Sequence, residues 1–227
     1  TINPNTNKVL LTSIPRDYYV QLHGKTGYKD KLTHAGIYGI NTVVQTIEDL
    51  FGIDINYYVR VNFTTVESLV NTIGPIEIYS DKAMSLDGCK YVVGTNTVNG
   101  KCALRFARER HSYVEGDNHR IKNQQEVIKG IFNKLSKSAM VVTDYTSILD
   151  SLDGKFATNM DMKDITAFIK YELEDITKYE ILDTQVTGTG SMELTYSYPH
   201  QKLYVMFPSE QSVESAKEYI NKISNEK

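Results

Sequence analysis

Residues 40–61 read INTVVQTIEDLFGIDINYYVRV and place a helix directly before a strand. Ile40, Val43, Val44, Ile47, Leu50 and Phe51 recur at spacings of three and four, which predicts an amphipathic helix over 40–51. Gly52 follows at the C′ position, where left-handed backbone ends a helix without a Cβ penalty. Ile55, Tyr57, Val59 and Val61 then alternate, which predicts a strand. The alternation of element types continues outward. Thr64 and Glu67 predict a capping box for a helix burying Val66, Leu69, Val70 and Ile73. Gly74-Pro75 ends that helix before a strand over 76–79.

Upstream, KVLLTSIP (8–15) reads as a buried strand after an Asn-Pro-Asn turn, and 18–22 as a second short strand. Residues 23–31 are polar and read as a loop. Downstream, 81–99 is irregular or hairpin-like and 100–107 is a short helix. Asp117 is the expected N-cap of a helix running to about Leu135. Helices are expected near 144–152 and 162–174, and strands at 179–186 and 202–207. A final helix over 210–223 turns Val213, Ala216, Ile220 and Ile223 inward. The class is therefore α/β (α+β), a central mixed sheet with helices on both faces. Without repeats, low-complexity tracts or linkers, residues 1–227 read as a single domain.

Composition excludes several functions. The chain has 227 residues, a net charge of −3 and 41% apolar residues. That balance argues against a general nucleic-acid binder, which needs a basic face. No apolar run approaches the length of a membrane span, and no signal peptide is visible. The chain opens at Thr1, close to a strand, so an anchoring segment upstream is an expectation. The two cysteines, Cys89 and Cys102, enclose KYVVGTNTVNGK, whose Gly94 and Asn99-Gly100 signal turns. They are either a disulfide closing a short loop, as in extracellular proteins, or two buried thiols.

The arginines carry more information. There are six, at 16, 60, 105, 108, 110 and 120, and four fall within 105–120. A guanidinium offers a planar fork to phosphate or carboxylate. The cluster is therefore an anion site, or a solvated face paired with Glu109, Glu115 and Asp117. Arg108 and Arg110 share a face only on a strand, so a joint clamp predicts a strand after the short helix. Asp117, Arg120, Ile121, Gln124 and Ile128 share one helix face. With Ile131, Phe132 and Leu135 it reads as the inward face, carrying Arg120 and Gln124 toward the core. Either a ligand satisfies these groups or Arg120 pairs with Asp117 while Gln124 caps a strand carbonyl. Arg16 follows the first long strand, where open α/β sheets often bind ligands. There is no G-x-S-x-G, Walker A or dinucleotide fingerprint.

Taken in order, TINPNTNKVLLTSIPRDYYVQL, KDKLTHAGIYG, TIEDLFGIDINYYVRVNF, LVNTIGPIEI and VNGKCALRFARERHSYVEGDNHRIKNQQEVI resemble the LytR–CpsA–Psr family of cell-envelope proteins. The likeness covers residues 1 to about 132 and is strongest toward the streptococcal-type capsule attachment members. It implies a phosphotransferase that moves a glycopolymer, here capsular polysaccharide, from a polyprenyl-pyrophosphate carrier onto peptidoglycan, assisted by Mg2+ or Mn2+. It also implies an outward-facing domain anchored to the cell membrane by an N-terminal segment, acting alongside capsule assembly proteins and not on nucleic acid. By motif, Arg16, Arg108 and Arg110 are the catalytic arginines and, with Lys31, Asp117, Arg120 and Gln124, bind the pyrophosphate. Val43, Ile47, Leu50, Val66 and Val70 are expected to line a lipid tunnel, the alternative being ordinary core. The family's aspartates, candidates for metal and proton transfer, are expected upstream of Thr1. Two other activities fit the same residues: a non-catalytic carrier or polysaccharide binder that regulates capsule assembly, and a lipid pyrophosphatase.

Overall fold

A computed structural model describes residues 1–113, 117–136, 148, 156–161, 163–168 and 179–227. The chain forms two compact units, Thr1–Asn56 with Glu180–Lys227, and Tyr57–Tyr179. Strands are β1 Ile2–Asn3, β2 Lys8–Ser13, β3 Tyr19–Val20, β4 Asp30–Lys31, β5 Val59–Val61, β6 Ile76–Ser80, β7 Met84–Leu86, β8 Cys89–Tyr91, β9 Gly94–Val98, β10 Phe156–Thr158, β11 Glu180–Gln185, β12 Gly188–Glu193 and β13 Leu203–Pro208. Helices are α1 Ile40–Phe51, α2 Phe63–Ile73, α3 Gly100–Arg108, α4 Asp117–Ser136 and α5 Glu210–Asn225, with a 3-10 helix over Leu32–Tyr38.

In the first unit, β2 pairs antiparallel with β1 and parallel with β11, a mixed three-stranded sheet. β12 pairs with β13 and β3 with β4, both antiparallel. A parallel bridge between Tyr18 and Met206 ties the two pairs. Helix α1 spans the predicted residues, and Gly52 takes the left-handed conformation at its end with φ 65°. Helix α5 buries Val213, Ala216, Ile220 and Ile223, as expected. These side chains join Leu10, Tyr18, Leu22, Phe51 and Val186 in one core.

The second unit has its own core around Val70, Ile76, Ile78, Tyr91, Ala103 and Phe106. β5 pairs with β10 and β6 with β9. β7 and β8 form a hairpin whose turn residues Asp87 and Gly88 both have positive φ, as the twist of a two-residue turn requires. Cys89 and Cys102 are joined in a disulfide that links β8 to α3.

Several local expectations are corrected. The strand expected over 55–61 is regular only at 59–61, and the one expected over 18–22 only at 19–20. The box that opens α2 is Asn62 with Thr65, not Thr64 with Glu67: Asn62 Oδ1 accepts from Thr65 N, and Thr65 Oγ1 from Asn62 N. An earlier cap is favoured because Asn62 holds both an extended backbone and a short acceptor. Asp117 is the first residue of α4 rather than its cap, and its side chain lies outside the described residues. The helix expected near 144–152 falls outside them apart from 148, and of 162–174 residues 163–168 are described, as helix.

The inward face of α4 also differs. His119, Ile121, Asn123, Gln125 and Val127 are buried, Gln124 is half-buried, and Ile128 is 49% exposed. The helix packs against both α3 and β6, so two flanks are covered instead of one stripe. Polar residues on the covered flanks find partners: Asn123 Nδ2 donates to Phe106 O at 3.2 Å, satisfying a carbonyl in the last turn of α3. Close approach to β6 needs Gly130, because a Cβ there would lie 2.5 Å from Glu77 O. Alanine normally gains up to about 1 kcal/mol over glycine in a helix. Here the clash is with backbone and outweighs it. Gly130→Ala is expected to destabilise the protein by roughly 2 kcal/mol, read as a lower urea midpoint.

Candidate functional site

The sequence-predicted residues divide between the units. Arg16 and Lys31 belong to the first, and Arg108, Arg110, Asp117, Arg120 and Gln124 to the second.

In the first unit, β2 runs to Ser13, Pro15 is buried and Arg16 emerges exposed. Backbone bonds lock the 3-10 helix to this corner: Thr33 N donates to Arg16 O at 2.9 Å and Leu32 N to Tyr18 O at 2.8 Å. Lys31 is thereby brought beside Asp17, with Nζ to Oδ1 at 2.9 Å. Asp17 thus positions Lys31 and leaves Arg16 without a described acidic partner.

Behind Lys31 lies a group the sequence reading missed. Asp30 is fully buried. Its carboxylate accepts from Lys31 N and Ser197 N, each at 2.8 Å, and from Ser197 Oγ, and it lies 2.6 Å from His34 Nδ1. Burial pushes its pKa up, but the hydrogen bonds from Ser197, His34 and Lys31 outweigh it and hold the carboxyl below its ordinary value. A depressed folded pKa stabilises above the unfolded value of about 4 and loses that contribution as pH falls through the folded one. Urea midpoints between pH 7 and 3 are therefore expected to fall at the acid end. Asp30→Asn should lower the midpoint near neutrality and flatten that acid limb.

In the second unit, α3 continues one residue beyond expectation and ends at Arg108, with Glu109 extended at its C-cap. Arg110 lies in irregular backbone, and among the described residues 109–113 there is no strand, so the pair Arg108–Arg110 does not sit on one. It flanks a helix terminus, whose negative end favours a cation at Arg108. Arg108 lies 4.7 Å from the Phe63 ring centroid. Both arginines are exposed. Arg110 Nε donates to the neighbouring His111 Nε2 at 3.3 Å. Among the described residues neither is in an ion pair with an acid. Within the arginine cluster Arg105 pairs with Asp87 at 3.0 Å.

Glu109 organises this turn and does not neutralise the arginines. Its Oε1 accepts from Ser112 N at 2.7 Å. Burial raises its pKa, but hydrogen bonds from Ser112 and the backbone at 110–111 hold it below its ordinary value. Further along, His119 is buried, stacks on Tyr113 with ring centroids 3.3 Å apart, and approaches Asp81 Oδ1 at 3.4 Å. His119 had no distinguishing sequence signal. Arg120 and Gln124 are half-buried on the less covered flank of α4.

The residues expected to line a tunnel take core positions. Val43, Ile47 and Leu50 pack on the first unit's core; Val70 is fully buried in the second's, and Val66 packs against it. Among the described residues no group of three or more His, Cys, Asp or Glu could hold a metal ion, and no helix is long and apolar enough to cross a membrane.

The chain has recognisable relatives. It is 32% identical over 200 residues to the polyisoprenyl-teichoic acid–peptidoglycan teichoic acid transferase TagU of Enterococcus faecalis, covering 87% of this chain and 64% of that protein. It is 34% identical over 195 residues to the Bacillus subtilis protein of the same name, covering 84% and 61%. It thus spans about three fifths of these relatives' length. The crystal structure of B. subtilis TagU matches with a TM-score of 0.75 at 27% identity, covering 100% of this chain and 90% of that one. The family model described as LytR_cpsA_psr matches residues 1–219, and the chain belongs to that family.

Proposed function

We propose that the protein transfers a glycopolymer from a polyprenyl-pyrophosphate carrier onto peptidoglycan. The observation that carries this reading is the Arg108–Glu109–Arg110 turn. Two exposed guanidiniums there have no described acidic partner, and the one carboxylate between them is spent on the loop backbone. Exposed paired guanidiniums suit the bidentate recognition of phosphate. From the family resemblance alone, Arg16, Lys31, Asp117, Arg120 and Gln124 are proposed as further residues that bind the donor. The names of the relatives support an isoprenoid-linked wall polymer as donor and peptidoglycan as acceptor.

In this reading the arginines neutralise the pyrophosphate and the charge that grows on the departing polyprenyl phosphate. An acceptor hydroxyl attacks the phosphorus joined to the polymer, and the bond to the lipid phosphate breaks. The described residues offer no group of three or more His, Cys, Asp or Glu that could hold a metal ion. The magnesium expected from the family resemblance is tested separately: if it assists the reaction, EDTA is expected to lower transfer and added Mg2+ to restore it. The disulfide between Cys89 and Cys102 supports a site outside the reducing cytosol, consistent with an outer-face location at the cell membrane.

The test is transfer of labelled polymer from a polyprenyl-pyrophosphate donor to peptidoglycan fragments by the full-length protein. Teichoic acid and capsular polysaccharide are supplied as separate donors. Labelled peptidoglycan is the expected product. Release of free polymer phosphate without acceptor labelling would point to a pyrophosphatase, and binding without turnover to a regulator.

A further inference from the structure

Residues 109–113 carry Arg110 away from the end of α3, and side chains from three directions hold them. Within the turn, Glu109 Oε1 accepts from Ser112 N at 2.7 Å. From the connection between β6 and β7, Lys82 Nζ donates to Ser112 O and lies 5.7 Å from the Tyr113 ring centroid. Both backbone polar groups of Ser112 are thus taken by side chains. From α4, the His119 imidazole stacks on Tyr113 with ring planes 12° apart and centroids 3.3 Å apart.

The frame behind these contacts is itself fixed. His119 is buried and approaches Asp81 Oδ1 at 3.4 Å. Buried Ser80 donates from Oγ to Lys82 O at 2.7 Å, which shapes the connection that carries Lys82. The Tyr113 hydroxyl reaches Met84 Sδ on β7 at 4.0 Å. Burial and the neighbouring Asp81 carboxylate outweigh a hydrogen bond with Ser80 and push the Tyr113 pKa up, so the phenol stays neutral. Arg110, by contrast, is exposed and bonds to the adjacent His111. What fixes where its guanidinium stands is therefore the backbone of this turn.

We propose that Tyr113, held by His119 and Lys82, is a positioning residue that keeps the arginine turn in its donor-binding conformation before the donor arrives. The inference rests on the proposed function, which gives Arg108 and Arg110 to the pyrophosphate, and extends it to side chains that touch no donor. Arg108 is placed by α3, whose last residue it is. Arg110 is placed by the clamp. The two guanidiniums then keep one spacing, as the recognition of two linked phosphates requires. A turn ordered in advance also spares binding the cost of ordering it.

The test uses the full-length protein, a polyprenyl-pyrophosphate-linked saccharide as donor and peptidoglycan fragments as acceptor. Amide hydrogen exchange over residues 109–113 is read beside the kinetics. Tyr113→Ala is expected to speed exchange there in the absence of donor. It should raise the donor KM by about tenfold, the scale of reordering a long side chain on binding. The acceptor KM, and kcat at saturating donor, should stay near wild type, because bound donor restores the turn. Phenylalanine keeps the stacked ring, so Tyr113→Phe should regain the wild-type donor KM. Lys82 is exposed, so Lys82→Ala should fold. It frees Ser112 O and should likewise speed exchange and raise the donor KM. A merely structural role would lower the thermal midpoint and leave the donor KM of folded protein unchanged. A wild-type donor KM in folded Tyr113→Ala overturns the proposal. If that variant does not fold, a wild-type donor KM in Lys82→Ala overturns it instead. A wild-type protein that takes up no donor, while exchange still quickens in the variants, contradicts the proposed function and reduces the clamp to structure alone.

Discussion

Replacing Arg108 and Arg110 together with alanine is expected to abolish polymer transfer while the protein stays folded. Each single alanine should lower kcat/KM by about 100-fold, the scale seen when one charge-stabilising donor is removed from a reacting centre. The fold should tolerate the change, because both side chains are exposed and in no described ion pair. The main stabilising interaction removed is that of the Arg108 guanidinium with the Phe63 ring at 4.7 Å, worth about 0.5–1 kcal/mol at an exposed position. Arg108→Lys keeps the charge and loses the fork, so partial activity is expected there. Circular dichroism and thermal melts run beside the transfer assay distinguish loss of chemistry from loss of structure. Full activity in the double variant contradicts the role given to the pair.

The second large effect concerns the disulfide. Cys89 and Cys102 are 13 residues apart in sequence, and closing a loop of that size stabilises by about 3 kcal/mol in the chain-entropy treatment. Cys89→Ala with Cys102→Ala is therefore expected to lower the thermal midpoint by roughly 10 °C. The consequence extends to the arginines. The bond ties β8 to α3, and the Tyr91 hydroxyl donates to Cys102 O at 2.7 Å on the same helix. Burial pushes the Tyr91 pKa up to about 12, so it remains a donor throughout the useful pH range. Arg108 ends that helix. Transfer by the double variant should accordingly fall more steeply with temperature than that of wild type. An unchanged midpoint would show that the second unit does not depend on the bond.

Much of this was legible because caps and periodicity agreed. Helix α1 was readable to the residue, with apolar spacing on one side and Gly52 at its end. Helix α5 was equally clear, with four inward residues at helical spacing. Where the reading failed, tertiary contacts had decided. Strand β12, GTGSME, has one large apolar residue and two glycines; it is a strand because it pairs with β13, and Gly188 and Gly190 admit Phe207 and Tyr204. In α4 the stripe rule assumes a single covered flank, but α3 and β6 cover two, so Asn123 and Gln125 are buried and Ile128 is not.

The candidate site shows the same division. Arg16, Arg108 and Arg110 stood out because arginine is scarce in this chain. The strand expected for the pair followed from requiring both guanidiniums on one face, a constraint the helix end does not impose. Asp30 lay in residues 23–31, which read as a polar loop, and His34 followed just beyond it without a pattern of its own. What buries Asp30 is Ser197, 167 residues further along the chain, and no local pattern announces such a partner.

In the proposed mechanism these exposed arginines hold a polyprenyl pyrophosphate. Native mass spectrometry of the gently purified protein, before and after delipidation and re-addition of polyprenyl pyrophosphate, tests it most directly. A bound mass equal to a polyprenyl phosphate or pyrophosphate is expected, regained by the delipidated protein and lost in the Arg108→Ala, Arg110→Ala variant. A folded protein that carries no such mass and takes up none when it is added would contradict it.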